Sequence, residues 1–163
     1  MRFCKATKKD SAEILALYRS CVGNDGCLWD EEYPDARCIE EDLARSMLYV
    51  LRDERGILAC ASVGEDDEDH ADMAGWSEGG KPCGVSRVAS RPDLRGRGYA
   101  SLVLRMALAN CRAQGYDRAQ LLVSPLNPAA MRLYEHLGFF AVGETQAYGF
   151  DWLMMERTLE GCE

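Results

Sequence analysis

The strongest constraint on the fold is a glycine-rich turn, Arg95–Ala100, set between a strand-like segment and a helix-like segment. The preceding run, Gly84–Ser90, is typical of a strand, and Ser101–Ala109 contains good helix formers with no Gly or Pro. Such a turn presents unpaired backbone N–H groups at the positive end of a helix dipole. Its two glycines let ligand oxygens approach those groups, and its two arginines add positive charge. The unit therefore predicts a pyrophosphate-binding site.

Two common phosphate motifs do not fit this turn. The dinucleotide fingerprint G-x-G-x-x-G requires glycine where Ser101 stands, and the nucleoside-triphosphate loop requires a Lys-Ser/Thr pair that is absent here. The turn instead matches R/Q-x-x-G-x-G/A at Arg95, Gly98 and Ala100. A second block, NPAAMRLYEHLGF, follows at residues 127–139.

Together the two blocks resemble the acyl-CoA loop and the downstream N-x-x-A-x-x-L-Y-x-x-x-G-F segment of the GCN5-related N-acetyltransferase (GNAT) superfamily. The resemblance covers nearly the whole chain and implies a single GNAT domain over residues 1–163. The implied fold class is α+β: a mixed, mostly antiparallel central sheet flanked by helices, with splayed central strands that hold the acyl-CoA. The pattern of the chain predicts the order β-α-α-β-β-β-α-β-α-β-β, which agrees with this fold.

Local signals predict several element ends. Thr7–Asp10 is typical of a capping box before the first helix, and Arg55-Gly56 is typical of a hairpin turn. The polar, acidic stretch Gly64–Pro82 is expected to be a long mobile loop. Asn127 is a favourable N-cap, and Pro128 suits the first position of a helix.

The resemblance implies where the cosubstrate acetyl-CoA binds. Its pantetheine arm is expected along one strand edge and its pyrophosphate in the turn. The implied cofactor-binding residues are Val88, Ala89, Ser90, Arg95, Gly96, Arg97, Gly98, Tyr99, Ala100 and Asn127. Asn127 has a second explanation, as the helix cap alone.

Tyr134 resembles the tyrosine that points at the cofactor sulfur in many family members. Its phenol is expected to protonate or hydrogen-bond the departing thiolate. The alternative is a core aromatic residue on the buried face of its helix.

Charge separates along the chain. Residues 81–132 hold nine basic and two acidic side chains (+7), whereas residues 25–78 hold seventeen acidic and four basic ones (−13). The acidic part is expected to flank the acceptor site, where Trp29, Tyr33 and Trp76 would add cation–π contacts. The acceptor would then be a small cationic amine, although an acidic surface that only maintains solubility explains the charge equally well. Candidate general bases are Glu31, Glu32, Asp72 and Glu78.

The predicted function is therefore acetyl-CoA-dependent N-acetylation by direct attack of an amine in a ternary complex. One alternative is acetylation of protein N-termini or lysines, and another is a non-catalytic acyl-CoA sensor. Confinement of the positive charge to the ligand loop and its neighbours, in a chain with a pI of about 4.9, argues against nucleic-acid binding. The sequence shows no metal-ligand cluster and no membrane segment, and its eight scattered cysteines suit reduced thiols in the cytoplasm. A homodimer is compatible with these features.

Overall fold

The order of strands and helices expected from the sequence is found along the chain. The computed structural model describes residues 1–66, 70 and 72–159. The strands are β1 (Arg2–Lys5), β2 (Leu48–Asp53), β3 (Gly56–Gly64), β4 (Pro82–Ser90), β5 (Arg118–Val123), β6 (Phe140–Ala147) and β7 (Phe150–Thr158). The helices are α1 (Ser11–Cys21), α2 (Ala36–Ala44), α3 (Tyr99–Ala113) and α4 (Pro128–His136).

All seven strands form one sheet in the order β1-β2-β3-β4-β5-β7-β6. Neighbouring strands are antiparallel except β4 and β5, which are parallel. This is the mixed, mostly antiparallel sheet that the sequence predicts. The parallel pair requires a crossover, and α3 supplies it.

Helices cover both faces of the sheet. On one face, α3 buries Val103 and Leu104 against the strands, and Leu137, directly after α4, is buried in the same cluster. On the other face, α1 and α2 bury Ile14 and Ile39. Burial of each such aliphatic side chain contributes about 1.5–3 kcal/mol to folding, so the two helical layers fix the position of the central strands.

The predicted capping box lies one turn earlier than a simple helix start. The backbone N–H of Thr7 donates to the Asp10 carboxylate at 2.8 Å, but the box closes a 3₁₀ turn, Lys8–Asp10, and α1 begins only at Ser11. Asp10 is also paired with Arg52 of β2. The box therefore joins the start of α1 to the sheet as well as capping it.

The long loop between β3 and β4 matches the predicted stretch, and its residues 67–69 and 71 lie outside the described residues. The later part of this loop is held by two side chains of the sheet. Glu156 accepts hydrogen bonds from the N–H and hydroxyl groups of Ser77, at 2.5 and 2.7 Å. Arg118 donates to the carbonyl oxygens of Ser77 and Gly79. The anchored segment therefore differs from a freely mobile loop.

Three further facts concern the described part of the chain only. None of its helices is long and apolar enough to cross a membrane. Its seven cysteines are free thiols, and the eighth, Cys162, lies outside it. Within it, no group of three or more His, Cys, Asp or Glu side chains is arranged to hold a metal ion.

Candidate active site

The two central parallel strands separate after a short paired section. The last of their three residue pairs is Gly84 with Gln120. Beyond it β4 continues to Ser90 and β5 to Val123, and the described residues show no further pairing between them. The backbone N–H and C=O groups that face each other across this splay are left free to hydrogen-bond to an extended ligand. The predicted pantetheine edge, Val88–Ser90, lies on the splayed part of β4.

The predicted pyrophosphate loop leads from β4 into the first turn of α3. Gly96 and Gly98 have φ angles of 79° and 78°, a left-handed conformation that favours glycine. Gly98 is the N-cap of α3, and no side chain caps the helix there. The N–H groups of Tyr99 and Ala100 belong to this uncapped turn, and the two arginines of the loop are exposed beside it. These features fit an anionic phosphate group.

Tyr134 combines a packed ring with an unpartnered hydroxyl. The ring meets Phe139 edge-on, with ring centroids 5.8 Å apart, and shares a core cluster with Val85 of β4 and Val123 of β5, one on each side of the splay. Burial raises the pKa of Tyr134 to about 12, so the phenol is protonated at neutral pH. Its hydroxyl makes no hydrogen bond with a described residue. The residue is therefore a core aromatic with a free proton donor.

Asn127 caps α4 as the sequence predicts. Its side-chain oxygen accepts the backbone N–H of Ala130 at 3.1 Å, and Pro128 follows as the first helical residue. The cap uses the amide oxygen only. Within the described residues, the amide NH₂ group makes no hydrogen bond and is the part that the predicted pantetheine contact would use.

The three aromatic residues predicted for the acceptor site lie in different surroundings. Trp29 packs edge-on against Tyr18 of α1, with ring centroids 5.4 Å apart. The indole N–H of Trp76 donates to the carbonyl oxygen of His70. Tyr33 is 46% exposed, and its hydroxyl accepts a hydrogen bond from Arg87 of β4 at 3.3 Å. Of these three aromatic residues, Tyr33 is the one whose side chain is hydrogen-bonded to β4.

The loop between α1 and α2 also touches the turn that precedes α4. Gly26 has a φ of 79°, and a Cβ added there would lie 2.7 Å from both the Cα of Asn127 and the carbonyl oxygen of Leu126. Only a residue without a side chain permits this approach. The loop is therefore held close to the end of β5.

Substitution of this glycine should open the contact. Gly26→Ala should destabilise the protein more than Gly23→Ala, because both sites have positive φ but a Cβ at Gly23 meets no atom within 4 Å. Gly23→Ala is expected to cost about 1–2 kcal/mol through backbone strain. Gly26→Ala should cost at least about 1 kcal/mol more through overpacking. Urea denaturation of the two variants measures the difference, and equal losses would contradict the close contact.

A β-bulge interrupts the pairing of β3 with β4 beside the splay. Cys60 is opposite Ala89, whereas Ser62 is opposite Ser86, so β4 holds one extra residue between them. Arg87 lies in this extra stretch with a φ of 48°, which is uncommon for any residue other than glycine.

The side chain of Arg87 joins three elements of the fold. Its Nε and Nη2 atoms donate to the two carboxylate oxygens of Asp42 in α2, at 2.8 and 2.7 Å. Asp42 also accepts from the hydroxyl of Ser62 at 2.6 Å, and Nη1 of Arg87 donates to Tyr33. The bulge, α2 and the α1–α2 loop therefore meet at one polar cluster, Arg87–Asp42–Ser62–Tyr33.

Two groups of acidic side chains differ in their surroundings, buried ones with bonding partners and exposed ones in the loops. Three buried acids each have a partner: Asp10 pairs with Arg52, Asp42 with Arg87, and Glu156 with Ser77. Glu156 also lies 3.9 Å from Arg118. The candidate bases lie in the two loops and are all exposed: Glu31, Glu32, Asp72 and Glu78. The structure therefore gives none of these four a buried position.

Sequence reasoning missed the polar cluster and the loop anchor. A signal for each was present, because Arg87 and Glu156 are charged residues directly beside apolar runs of their strands, Val88-Ala89 and Leu153–Met155. A charged residue in such a strand is rarely buried without a partner. The partners themselves come from distant parts of the chain and leave no local pattern.

Comparison with known proteins finds acetyltransferases with a similar sequence or the same fold. An L-methionine sulfoximine/L-methionine sulfone acetyltransferase of Pseudomonas aeruginosa is 28% identical over 145 residues, which are 86% of this chain and 80% of that protein. A GNAT-family acetyltransferase from Streptococcus agalactiae shares the fold with a TM-score of 0.81 and 17% identity, over 98% of this chain and 96% of that one.

The structure of yncA from Salmonella typhimurium with its cofactor acetyl-CoA shares the fold with a TM-score of 0.76 and 20% identity, over 100% of this chain and 96% of that one. The model of the acetyltransferase (GNAT) family matches residues 12–139. Because that match spans most of the chain, this protein belongs to the acetyltransferase (GNAT) family.

Proposed function

We propose that this protein transfers the acetyl group of acetyl-CoA to the primary amine of a small molecule, by direct attack in a ternary complex. The main support for this proposal is Tyr134, a protonated phenol with a free hydroxyl. Its side chain packs in one core cluster with residues of both splayed strands. The pyrophosphate would bind the uncapped first turn of α3, and the pantetheine arm would follow Val88–Ser90. We extend this cofactor role to Arg95, Arg97 and Asn127.

The proposed reaction balances without a further reactant. The amine nitrogen attacks the thioester carbonyl, the new C–N bond forms and the C–S bond breaks. Tyr134 donates its proton to the departing thiolate and regains one from the solvent, while the nitrogen loses a proton. No cysteine of the protein is acylated at any step of this proposed reaction.

The attacking amine must first lose the proton of its ammonium form, whose pKa is about 10. We assign this step to water in contact with exposed carboxylates of the two loops, among them Glu31 and Glu78. The acidic loops would also attract a cationic amine, and Tyr33, Trp29 and Trp76 are the proposed contacts around it.

Two observations support a small acceptor rather than a protein chain. The α1–α2 loop lies against the turn before α4 at Gly26, and we take this contact to limit the space beside the splay. The Pseudomonas aeruginosa relative is named for amino-acid derivatives, which are small amines.

Free thiols at the seven described cysteines suit a reducing compartment, and we propose the cytoplasm.

Release of CoA thiol over a panel of acceptors tests the proposal. The panel contains amino acids, polyamines, amino sugars and basic peptides, each with a blank that lacks the amine. We expect turnover with at least one small amine and little with peptides. Turnover restricted to peptides would favour a protein acetyltransferase. Acetyl-CoA binding without turnover on any amine would favour a sensor.

A further inference from the structure

Arg87 is a charged side chain at a strained position beside the splay. A non-glycine residue with a φ of 48° persists only where the surrounding structure fixes it, and such positions cluster at ligand-binding sites. The polar cluster Arg87–Asp42–Ser62–Tyr33 supplies that support. The guanidinium is therefore held in one position, where its remaining N–H groups can bind a ligand.

Some of the donors of Arg87 are free. A guanidinium has five N–H groups. Asp42 accepts two of them and Tyr33 accepts one. Two N–H groups therefore have no partner among the described residues. The side chain is 18% exposed, so part of it is open to a small ligand.

The carboxylate of Asp42, unlike the guanidinium of Arg87, is buried and already hydrogen-bonded through both oxygens. Asp42 is 3% exposed and already accepts bonds from Nε and Nη2 of Arg87 and from Ser62. It balances the charge of Arg87 and holds the plane of the guanidinium in one orientation. The cluster therefore presents N–H donors to an oxygen, and it presents no spare carboxylate to a cation.

A second buried polar group lies close to the bulge, in Tyr18 of α1. Its hydroxyl is buried and has no hydrogen-bond partner in the described part of the chain. Burial raises the pKa of Tyr18, as does the neighbouring Cys60 thiol, so the hydroxyl stays protonated. The residue shares a core cluster with Cys60 and Ala89, the strand pair beside the bulge. A buried hydroxyl without a hydrogen-bond partner is uncommon, and it indicates a further polar group or an ordered water close to the bulge.

We infer that Arg87, with the hydroxyl of Tyr33, binds a carboxylate of the acceptor, so that the acceptor is an amine that also carries a carboxylate. This inference rests on the proposed acetyl transfer and narrows its acceptor. Two N–H groups of one guanidinium match two carboxylate oxygens, and Tyr33 keeps its own O–H to donate. Arg87 would then determine specificity, and its preorganised orientation would favour this contact. An acceptor with positive charge alone would lack it.

The test compares matched acceptors that differ at the carboxylate. Amino acids, the same amino acids as primary amides, and the corresponding decarboxylated amines are acetylated by each enzyme. The measured quantity is the ratio of kcat/KM for the acid to kcat/KM for its amide. Comparing this ratio between variants cancels the difference in amine basicity and the fraction of folded protein.

The variants are chosen to keep the fold. Arg87→Gly alone would leave Asp42 as a buried, unpaired charge, so it is combined with Asp42→Asn. Glycine adopts the positive φ of this site without strain. Tyr33→Phe removes one exposed hydroxyl and is the milder second variant. Arg37→Gly is the control, because that arginine is exposed on α2 and, among the described residues, has an ion pair with Glu41 alone.

We expect the acid-to-amide ratio to fall by about 10-fold to 100-fold in the double variant, the range for lost hydrogen bonds to a charged group. It should fall less in Tyr33→Phe and stay unchanged in Arg37→Gly, with the KM for acetyl-CoA unchanged throughout. Turnover without a preference for acids in the wild type would overturn this inference and leave acetyl transfer standing. A preference that survives in the double variant would overturn the role of Arg87. Turnover of no amine at all would overturn the proposed function itself.

Discussion

Tyr134→Phe is expected to lower kcat by about 100-fold or more, the usual contribution of one acid–base group. The ring should keep its contact with Phe139, so the KM for acetyl-CoA and the stability of the fold should change little. Because burial raises the pKa of Tyr134 to about 12, the wild-type phenol remains a proton donor throughout the neutral and mildly alkaline range. Steady-state kinetics with a saturating acceptor measure the effect.

Tyr116→Phe is the matched control. Tyr116 precedes β5, and its ring lies under the ammonium group of Lys81, with the nitrogen 4.4 Å from the ring centroid. Loss of that hydroxyl should leave kcat near the wild-type value. If Tyr134→Phe is equally active, Tyr134 is a core aromatic only, and the proton reaches the thiolate by another route.

Gly98→Asp is expected to raise the Kd for acetyl-CoA by about 100-fold or more, because juxtaposed like charges cost several kcal/mol. The carboxylate would stand at the N-cap of α3, where the pyrophosphate is proposed to bind. Gly98→Asn has nearly the same shape without the charge, and both side chains tolerate positive φ. Calorimetric titration of the two variants therefore separates charge from backbone strain.

Both variants should fold, because a Cβ at Gly98 meets no atom within 4 Å. The wild type and Gly98→Asn should show a thermal upshift with CoA, and Gly98→Asp should show none. An equal upshift in all three proteins would put the phosphate site elsewhere.

Local chemistry explains why much of the fold is predictable from the sequence. The glycine turn, the start of α3 and the cap at Asn127 depend on residues within a few positions of one another. Hydrophobic periodicity likewise reports which face of a helix is buried. These features carry the predicted order of elements and the proposed cofactor loop.

The Arg87 cluster was not predictable in the same way. The positive φ of Arg87 depends on the bulge against β3, on Asp42 in α2 and on Tyr33 in a loop, which are brought together only by the folded sheet. The anchor of Ser77 on Glu156 spans 79 positions of the chain. The acidic excess of residues 25–78 was visible in the sequence, but it did not show that Asp42 is already paired.

A single-turnover experiment tests direct acetyl transfer most directly. Enzyme in excess over acetyl-CoA labelled in the acetyl group is mixed with or without an acceptor from the panel, and the label is followed on CoA, protein and amide. We predict that the label stays on CoA without the acceptor, and that with it the label passes to the amide in one phase, with none on the protein. Labelled protein, or label that never leaves CoA in the presence of any amine, would contradict the account.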